Sequence, residues 1–358
     1  MPDPILQVSE LTVEYAMDRG TVRAVQDVSF DLGPGEFIGV VGESGCGKST
    51  LLFAIAQLLG PPAEITAGSV SFKGTDLTAL AERELAPIRW KEMSVVMQSA
   101  MNALNPVKSI GSQFADAMRA HGVTSKSEIA GRSAEVLRMV GIDPVHLKSY
   151  PFQLSGGMRQ RSMIAMAMLF TPDLVIMDEP TSALDVVAQR SLMVQIKELQ
   201  QRLGFAIIFV THDMSLVSHF SDRLMVMYAG QVAEFGPTRE VFDAPRHPYS
   251  IGLLDAFPSI RGPRLKLTGI PGAPPDLARP PAGCRFAPRC PQVMDVCRTT
   301  PPELYPAGPV QVRCLLHSPD QNLRNETPAA GSATGDVTSV AAGGPTANLA
   351  TEEGSADE

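Results

Sequence analysis

Apolar residues fall into short unbroken runs at three places in the chain, residues 37–41, 174–177 and 206–210. Runs of this length without polar alternation fit strands of a parallel sheet covered on both faces. Residues 5–15 and 22–32 read instead as strands of an antiparallel sheet, and residues 95–98 as the end of a further strand. A Gly-rich loop follows residue 41 and opens a helix from about Ser49. Residues 111–170 are expected to be mostly helical, with breaks at Gly141 and Pro151. Residues 232–243 close this unit. The expected fold is α/β: a loop-bearing parallel core, an antiparallel β subdomain, a helical subdomain over about 99–171, and a small appended domain. No repeat of fixed period is present.

Composition changes the picture after about residue 257, where proline and glycine become dense. Four of the five cysteines lie there, at positions 284, 290, 297 and 314. This gives a main domain over 1–255 and a Cys/Pro-rich C-terminal domain over 256–319. From 320 to 358 the chain is Ala, Gly, Ser, Thr and acid. So little apolar surface cannot offset the entropy of ordering, so this acidic tail is expected to be disordered. The full length of 358 residues suits one large domain with an appendage, and 44% hydrophobic residues allow a substantial core.

The net charge of −8 and the lack of a Lys/Arg run exclude a nucleic-acid partner from the expectations. Apolar runs such as 205–210 have the length of buried strands rather than membrane spans. The first residues show no basic segment followed by an apolar one, so no secretion signal is expected. The cysteines are therefore expected to be reduced.

Chemistry enters with Gly42-Glu43-Ser44-Gly45-Cys46-Gly47-Lys48-Ser49-Thr50, placed after an apolar strand and before a helix. This is a P-loop in its expected context. Its glycines let backbone N–H groups close around phosphate oxygens, and the helix start favours negative charge. Lys48 is placed to reach the β- and γ-phosphates and Ser49 to ligate Mg²⁺. The second signal is the strand 174–178 ending in Asp178 and Glu179, at the carboxyl edge where open α/β sheets bind ligands. Asp178 suits the Mg²⁺ shell and Glu179 a general base. A helix-start acid beside Pro180 is the plainer alternative. The third is Leu154-Ser155-Gly156-Gly157-Met158-Arg159-Gln160-Arg161, whose glycines at a helix start form a second anion site. A simple Ser155 cap is its alternative. Cys46 need not be chemical, and Met158, Met163, Met166 and Met168 on one helix fit core filling.

The octet at 154–161 resembles the signature sequence of ABC ATPases. That resemblance implies that Ser155, Gly156 and Gly157 bind the γ-phosphate of ATP held by an opposite subunit, so that hydrolysis needs a dimer. The remaining family elements follow in order over residues 1–255. Gln98 is similar to the Q-loop glutamine that contacts metal and water. Ser182-Ala183-Leu184-Asp185 is similar to the D-loop, and Thr211-His212-Asp213 places His212 as the switch histidine. Tyr15 stands where the family has an aromatic residue on adenine, although a lone Tyr on a strand also suits packing.

Arg246-His247-Pro248-Tyr249-Ser250, Leu253-Leu254, Phe257-Pro258-Ser259 and the run Gly283-Cys284 to Cys290-Pro291 resemble the extension of oligopeptide and dipeptide importer ATPases. Nickel and some oligosaccharide importers share that architecture. The cysteine spacing, C-x5-C-x6-C-x16-C, is neither that of a zinc finger nor that of a ferredoxin. Four thiols still suit a soft metal. The resemblance implies a [4Fe–4S] cluster on Cys284, Cys290, Cys297 and Cys314, with Zn²⁺ second and free structural thiols third.

The expected function is the ATP-hydrolysing motor of an importer for di- or oligopeptides, with oligosaccharides or nickel as alternatives. It implies ATP and Mg²⁺, a second ATPase subunit that is a different chain, two membrane-spanning permease subunits and an external solute-binding protein. It also implies a peripheral place on the cytoplasmic face of the membrane. A soluble ABC ATPase of repair or translation is a second class; its coiled-coil, hook or duplicated-cassette features are missing. A redox protein built on the cysteines is the third.

Overall fold

The structure, a computed structural model, describes residues 3–17, 20–98, 103–182, 184–256 and 269–324. Most of the tail expected to be disordered, residues 325–358, lies outside these, as does the segment 257–259. Residues 321–324, at the start of that tail, form a single helical turn.

Two sheets carry the fold. The first pairs β1 (Leu6–Met17) with β2 (Gly20–Leu32) and with β4 (Ala63–Phe72), all antiparallel, and ends on β5 (Thr75–Asp76). On β1 the inward residues Leu6 and Val8, then Leu11 and Val13, alternate on either side of a register shift between Val8 and Leu11. The second sheet has the order β11-β12-β10-β9-β3-β8-β7-β6. Its parallel part joins β6 (Met93–Val96), β7 (Leu174–Asp178), β8 (Ala206–Val210), β3 (Phe37–Val41) and β9 (Arg223–Tyr228). All residues of β3, β7 and β8 are buried, as unalternated apolar strands between two layers require. β10 (Gln231–Pro237) then turns back antiparallel to β9.

One apolar core lies on each face of this sheet. One takes Ile38, Val40, Ile176, Ile208 and the β1–β2–β4 sheet together with α1 (Lys48–Ile55). The other takes Phe37, Val175, Met177, Ile207 and Phe209 with the helical subdomain. That subdomain contains α2 (Ile110–Ala120), α3 (Lys126–Met139) and α4 (Gly156–Ala167). The helices start on side-chain caps: Ser109, Ser125 and Ser155 each accept a backbone N–H from three residues on. α5 (Val186–Leu203) follows β7, α6 (Met214–Phe220) follows β8, and α7 (Thr238–Asp243) and α8 (Pro248–Asp255) follow β10.

The segment after residue 269 does not stand apart from this body. β11 (Tyr305–Ala307) and β12 (Val310–Val312) extend the second sheet, with Glu234 and Phe235 of β10 paired to Val312 and Gln311. Phe286, Val310 and Val312 enter the main core, and among the described residues Ala287, Met294, Cys297, Tyr305 and Leu315 form a satellite cluster. Among the described residues no helix is long and apolar enough to cross a membrane.

Candidate functional site

β3 delivers the chain into the phosphate loop, and two glycines there are forced by their surroundings. Gly42 has φ 153° and a Cβ would lie 2.2 Å from the Met227 carbonyl oxygen; Gly47 has φ 102° and a Cβ would lie 2.1 Å from that of Ala24. Only glycine fits either position. Gly45, at φ 77°, faces open space, and Ser44 is exposed beside it. Lys48 is 7% exposed, and its ammonium donates to the carbonyls of Gly42 at 2.8 Å and Glu43 at 2.9 Å. Cys46 is buried under the loop, and burial pushes its thiol up from the ordinary range. On α1, Thr50 Oγ1 lies 3.2 Å from the hydroxyl of Tyr15 on β1, so the loop-bearing helix and the antiparallel sheet meet at that pair. The first turn of α1 leaves free N–H groups directed at the loop's mouth.

Three strand ends meet beside the loop. Asp178 closes β7 and is 2% exposed, with Oδ1 lacking any hydrogen-bond partner. Burial pushes its carboxyl up; a hydrogen bond from Ser49 and the charge of Lys48 pull the other way, while Glu179 adds to the rise. A buried carboxyl oxygen without a donor, next to a serine hydroxyl, fits a hard cation. Glu179 follows in the left-handed region at φ 45°, its N–H held by the Val210 carbonyl at 2.9 Å. Its Oε2 accepts from Gln98 Nε2 at 3.0 Å, and its Oε1 lies 3.5 Å from His212 Nδ1. Gln98 follows β6 and His212 follows β8, so adjacent parallel strands β6, β7 and β8 bring all three together. The Glu179 side chain is 19% exposed and that of His212 67%, which leaves the carboxylate reachable by water.

The turn 155–157 is built differently. Ser155 Oγ caps α4 by accepting the Met158 N–H at 3.3 Å, and Arg159 fastens the turn to the Pro151 and Leu154 carbonyls. Gly156 and Gly157 are half-exposed, and a Cβ on Gly157 would meet nothing closer than Leu184 at 3.9 Å. Asp185 caps α5 by accepting the Ala188 N–H at 2.9 Å, while Ala183 lies outside the described residues. Met166 and Met168 are buried in the core.

The cysteine segment requires a correction. Cys284, Cys290, Cys297 and Cys314 do line one cavity, but it offers only ≈ 10 Å³ to water-sized spheres, about the room of a single water. Among the described residues no group of three or more His, Cys, Asp or Glu is placed to hold a metal ion. Burial raises the thiol of Cys284 and pushes those of Cys290 and Cys314 up to about 12. The [4Fe–4S] cluster, and zinc with it, are therefore withdrawn. The four residues are free cysteines packed as small apolar groups.

One part of the site carried no signal in the sequence. Glu43 of the loop is gripped by Arg289 and Tyr249 from the far end of the chain. Both residues sit in stretches noted above only for their family resemblance.

Over residues 25–182 the chain matches the ABC transporter family, and over 233–297 the family described as oligopeptide/dipeptide transporter, C-terminal region. It is 41% identical to the dipeptide transport ATP-binding protein DppD of Caldanaerobacter subterraneus subsp. tengcongensis, over 89% of this chain and 99% of that one. It is 44% identical to the oligopeptide transport ATP-binding protein OppD of Salmonella typhimurium, over 83% of this chain and 89% of that one. Among solved structures it is similar to a dimeric ATP-binding cassette in a post-hydrolysis state bound to ADP and phosphate. That likeness has a TM-score of 0.59 and 29% identity, over 65% of this chain and 99% of the other.

Proposed function

The chain belongs to the ABC transporter ATPases of the dipeptide and oligopeptide branch, and from that premise we propose that it is the ATP-hydrolysing motor of a peptide importer. The observation that carries the reading is the meeting of Gln98, Glu179 and His212 beside a formed phosphate loop. The loop N–H groups and Lys48 hold the triphosphate, and the Tyr15 ring flanks its adenine. Ser49, Asp178 and Gln98 are the residues that would hold Mg²⁺, which when bound offsets phosphate charge. Glu179 takes the proton of the attacking water as general base. Gln98 and His212 act on the two oxygens of that carboxylate and orient it. Ser155, Gly156, Gly157 and Asp185 lie on the surface that completes the ATP site of a second subunit.

In this reading residues 1–255 form the ATPase body, 99–171 its helical arm and 256–319 the importer-type extension. The motor works on the cytoplasmic face of the membrane, with a second, different ATPase chain, two permease subunits and an external solute-binding protein. The solute is a short peptide. The test is uptake of labelled di- and oligopeptides by cells with and without the gene, complemented by wild type or by Glu179→Gln. Peptide uptake should be lost on deletion and restored by wild type only. Unchanged peptide uptake with loss of oligosaccharide or nickel uptake would overturn the solute class.

A further inference from the structure

Arg289 ends the short turn Ala287–Arg289, directly before Cys290, and its side chain is only 6% exposed. Its Nη1 donates to Glu43 Oε2 at 2.8 Å and its Nη2 to Glu43 Oε1 at 3.0 Å, a two-pronged pair. The guanidinium is itself aimed by the Pro271 carbonyl, 2.8 Å from Nε, and by the Tyr228 hydroxyl, 3.3 Å from Nη1. Glu43 is the second residue of the phosphate loop. Its N–H donates to the hydroxyl of fully buried Tyr249 at 3.0 Å, and its carbonyl accepts from Lys48 at 2.9 Å. Every polar group of one loop residue is thus held, its carbonyl also by the Cys46 N–H at 3.3 Å, and two of the four holders come from beyond residue 245.

Charge gives the contact its consequence. The Glu43 carboxylate stands in a loop that must receive a polyanion, and its repulsion of phosphate oxygens is weakly screened at a partly buried site. Arg289 offsets that charge and turns both carboxylate oxygens toward itself. The carboxylate in return holds the Arg289 guanidinium well above its ordinary pKa, so the pair stays charged.

We infer that Arg289 and Tyr249 are positioning residues of the ATP site, and that the cysteine-bearing C-terminal segment sets the loop's affinity for nucleoside triphosphate by clamping Glu43. The inference rests on the ATPase reading above.

The test measures the Kd for a fluorescent ATP analogue with the full chain, and KM and kcat for ATP with the assembled transporter. Arg289→Gln should raise Kd and KM about tenfold with kcat within about twofold, because an unpaired charge now faces the phosphates. Glu43→Gln should cost about threefold, and Tyr249→Phe about the same, the loss of one hydrogen bond. The deciding variant is the double one: Glu43→Gln added to Arg289→Gln should tighten binding relative to Arg289→Gln alone, since it removes the stranded charge. A merely structural role would make the double variant bind no better. Arg313→Gln is the control: its side chain ties the same segment to Asp27, Val232 and Pro302 and bonds no loop atom, so it should lower Tm and leave Kd unchanged. If Arg289→Gln does not fold, Arg289→Lys keeps the charge, loses the fork and should still weaken binding about threefold. Unchanged Kd in the arginine variant that folds, or a double variant no tighter than the single, overturns the clamp while ATP binding by the wild type stands. A wild-type chain that binds no ATP overturns both readings.

Discussion

The two glycine-bearing helix starts of this protein, at α1 and at α4, present the same backbone groups but are constrained in opposite ways. At α1 Gly42 and Gly47 are forced by contacts of 2.2 and 2.1 Å to neighbouring carbonyls, while Gly45 faces open space, and a buried lysine and a clamped glutamate close the loop from within. At α4 the capping serine is exposed and Gly157 has nothing tighter than 3.9 Å around it. The first is shaped by its own chain. The second has room that its own chain does not fill, and under the proposed function that room is where the ATP of a second subunit would sit.

The largest effect that sharpens this contrast is expected from Glu179→Gln. Loss of a general base costs roughly 10²–10⁴-fold in turnover. ATP should still bind at the α1 loop, and ATP-bound pairs should accumulate in gel filtration. Turnover within tenfold of wild type would remove Glu179 from the mechanism.

Next in size is the glycine pair. Gly47→Ala places a methyl group against the Ala24 carbonyl in a left-handed backbone and should destabilise the loop by on the order of 3 kcal/mol, abolishing ATP binding by the lone chain. Gly157→Asp should leave that binding intact, measured by calorimetry, yet lower turnover of the assembled complex at least about tenfold by putting charge against a partner's phosphate. Loss of lone-chain binding in Gly157→Asp would break the contrast.

The smallest effect is a pH dependence. His247 is fully buried, its Nδ1 accepting the Tyr249 N–H, and burial lowers its pKa to about 3. Its folded pKa lies below the unfolded value, so the unfolded chain binds more protons between the two, and stability falls as pH drops below about 6.5. At pH 5 the loss from this group is on the order of 2 kcal/mol. Buried Glu234 is shifted upward and acts with the opposite sign. The check is therefore a difference: His247→Asn, which keeps a helix cap, should show a flatter fall of Tm between pH 6.5 and 5 than wild type. Parallel curves would remove His247 as the source.

Much of this site was legible in the sequence because it is local. β3, the loop and α1 are contiguous, and β7 and β8 are unbroken apolar runs ending in the residues that matter. Strand β4 was missed, since its exposed Glu64, Thr66 and Ala67 blur alternation and a left-handed Gly68 interrupts it. β11 and β12 were missed because three-residue strands carry no period. The pairing of Glu43 with Arg289 spans 246 positions, and spacing says nothing about such contacts. The cysteines were misread for a related reason. Four thiols fit soft-metal chemistry by type, but no strand or helix context fixed their geometry, and the packed space between them decided the matter.

The hairpin of β11 and β12 has a consequence for handling the protein. β10 would be the outermost strand of the large sheet without it, with the ladder groups of Glu234 and Phe235 left unpaired. Such a margin invites pairing with any other extended chain. The hairpin covers that margin and puts a strand of only three residues outside it, with Pro306 at its centre unable to donate to a further ladder. A chain cut after Asp255 would expose this seam, and should self-associate in a concentration-dependent way rather than remain dispersed.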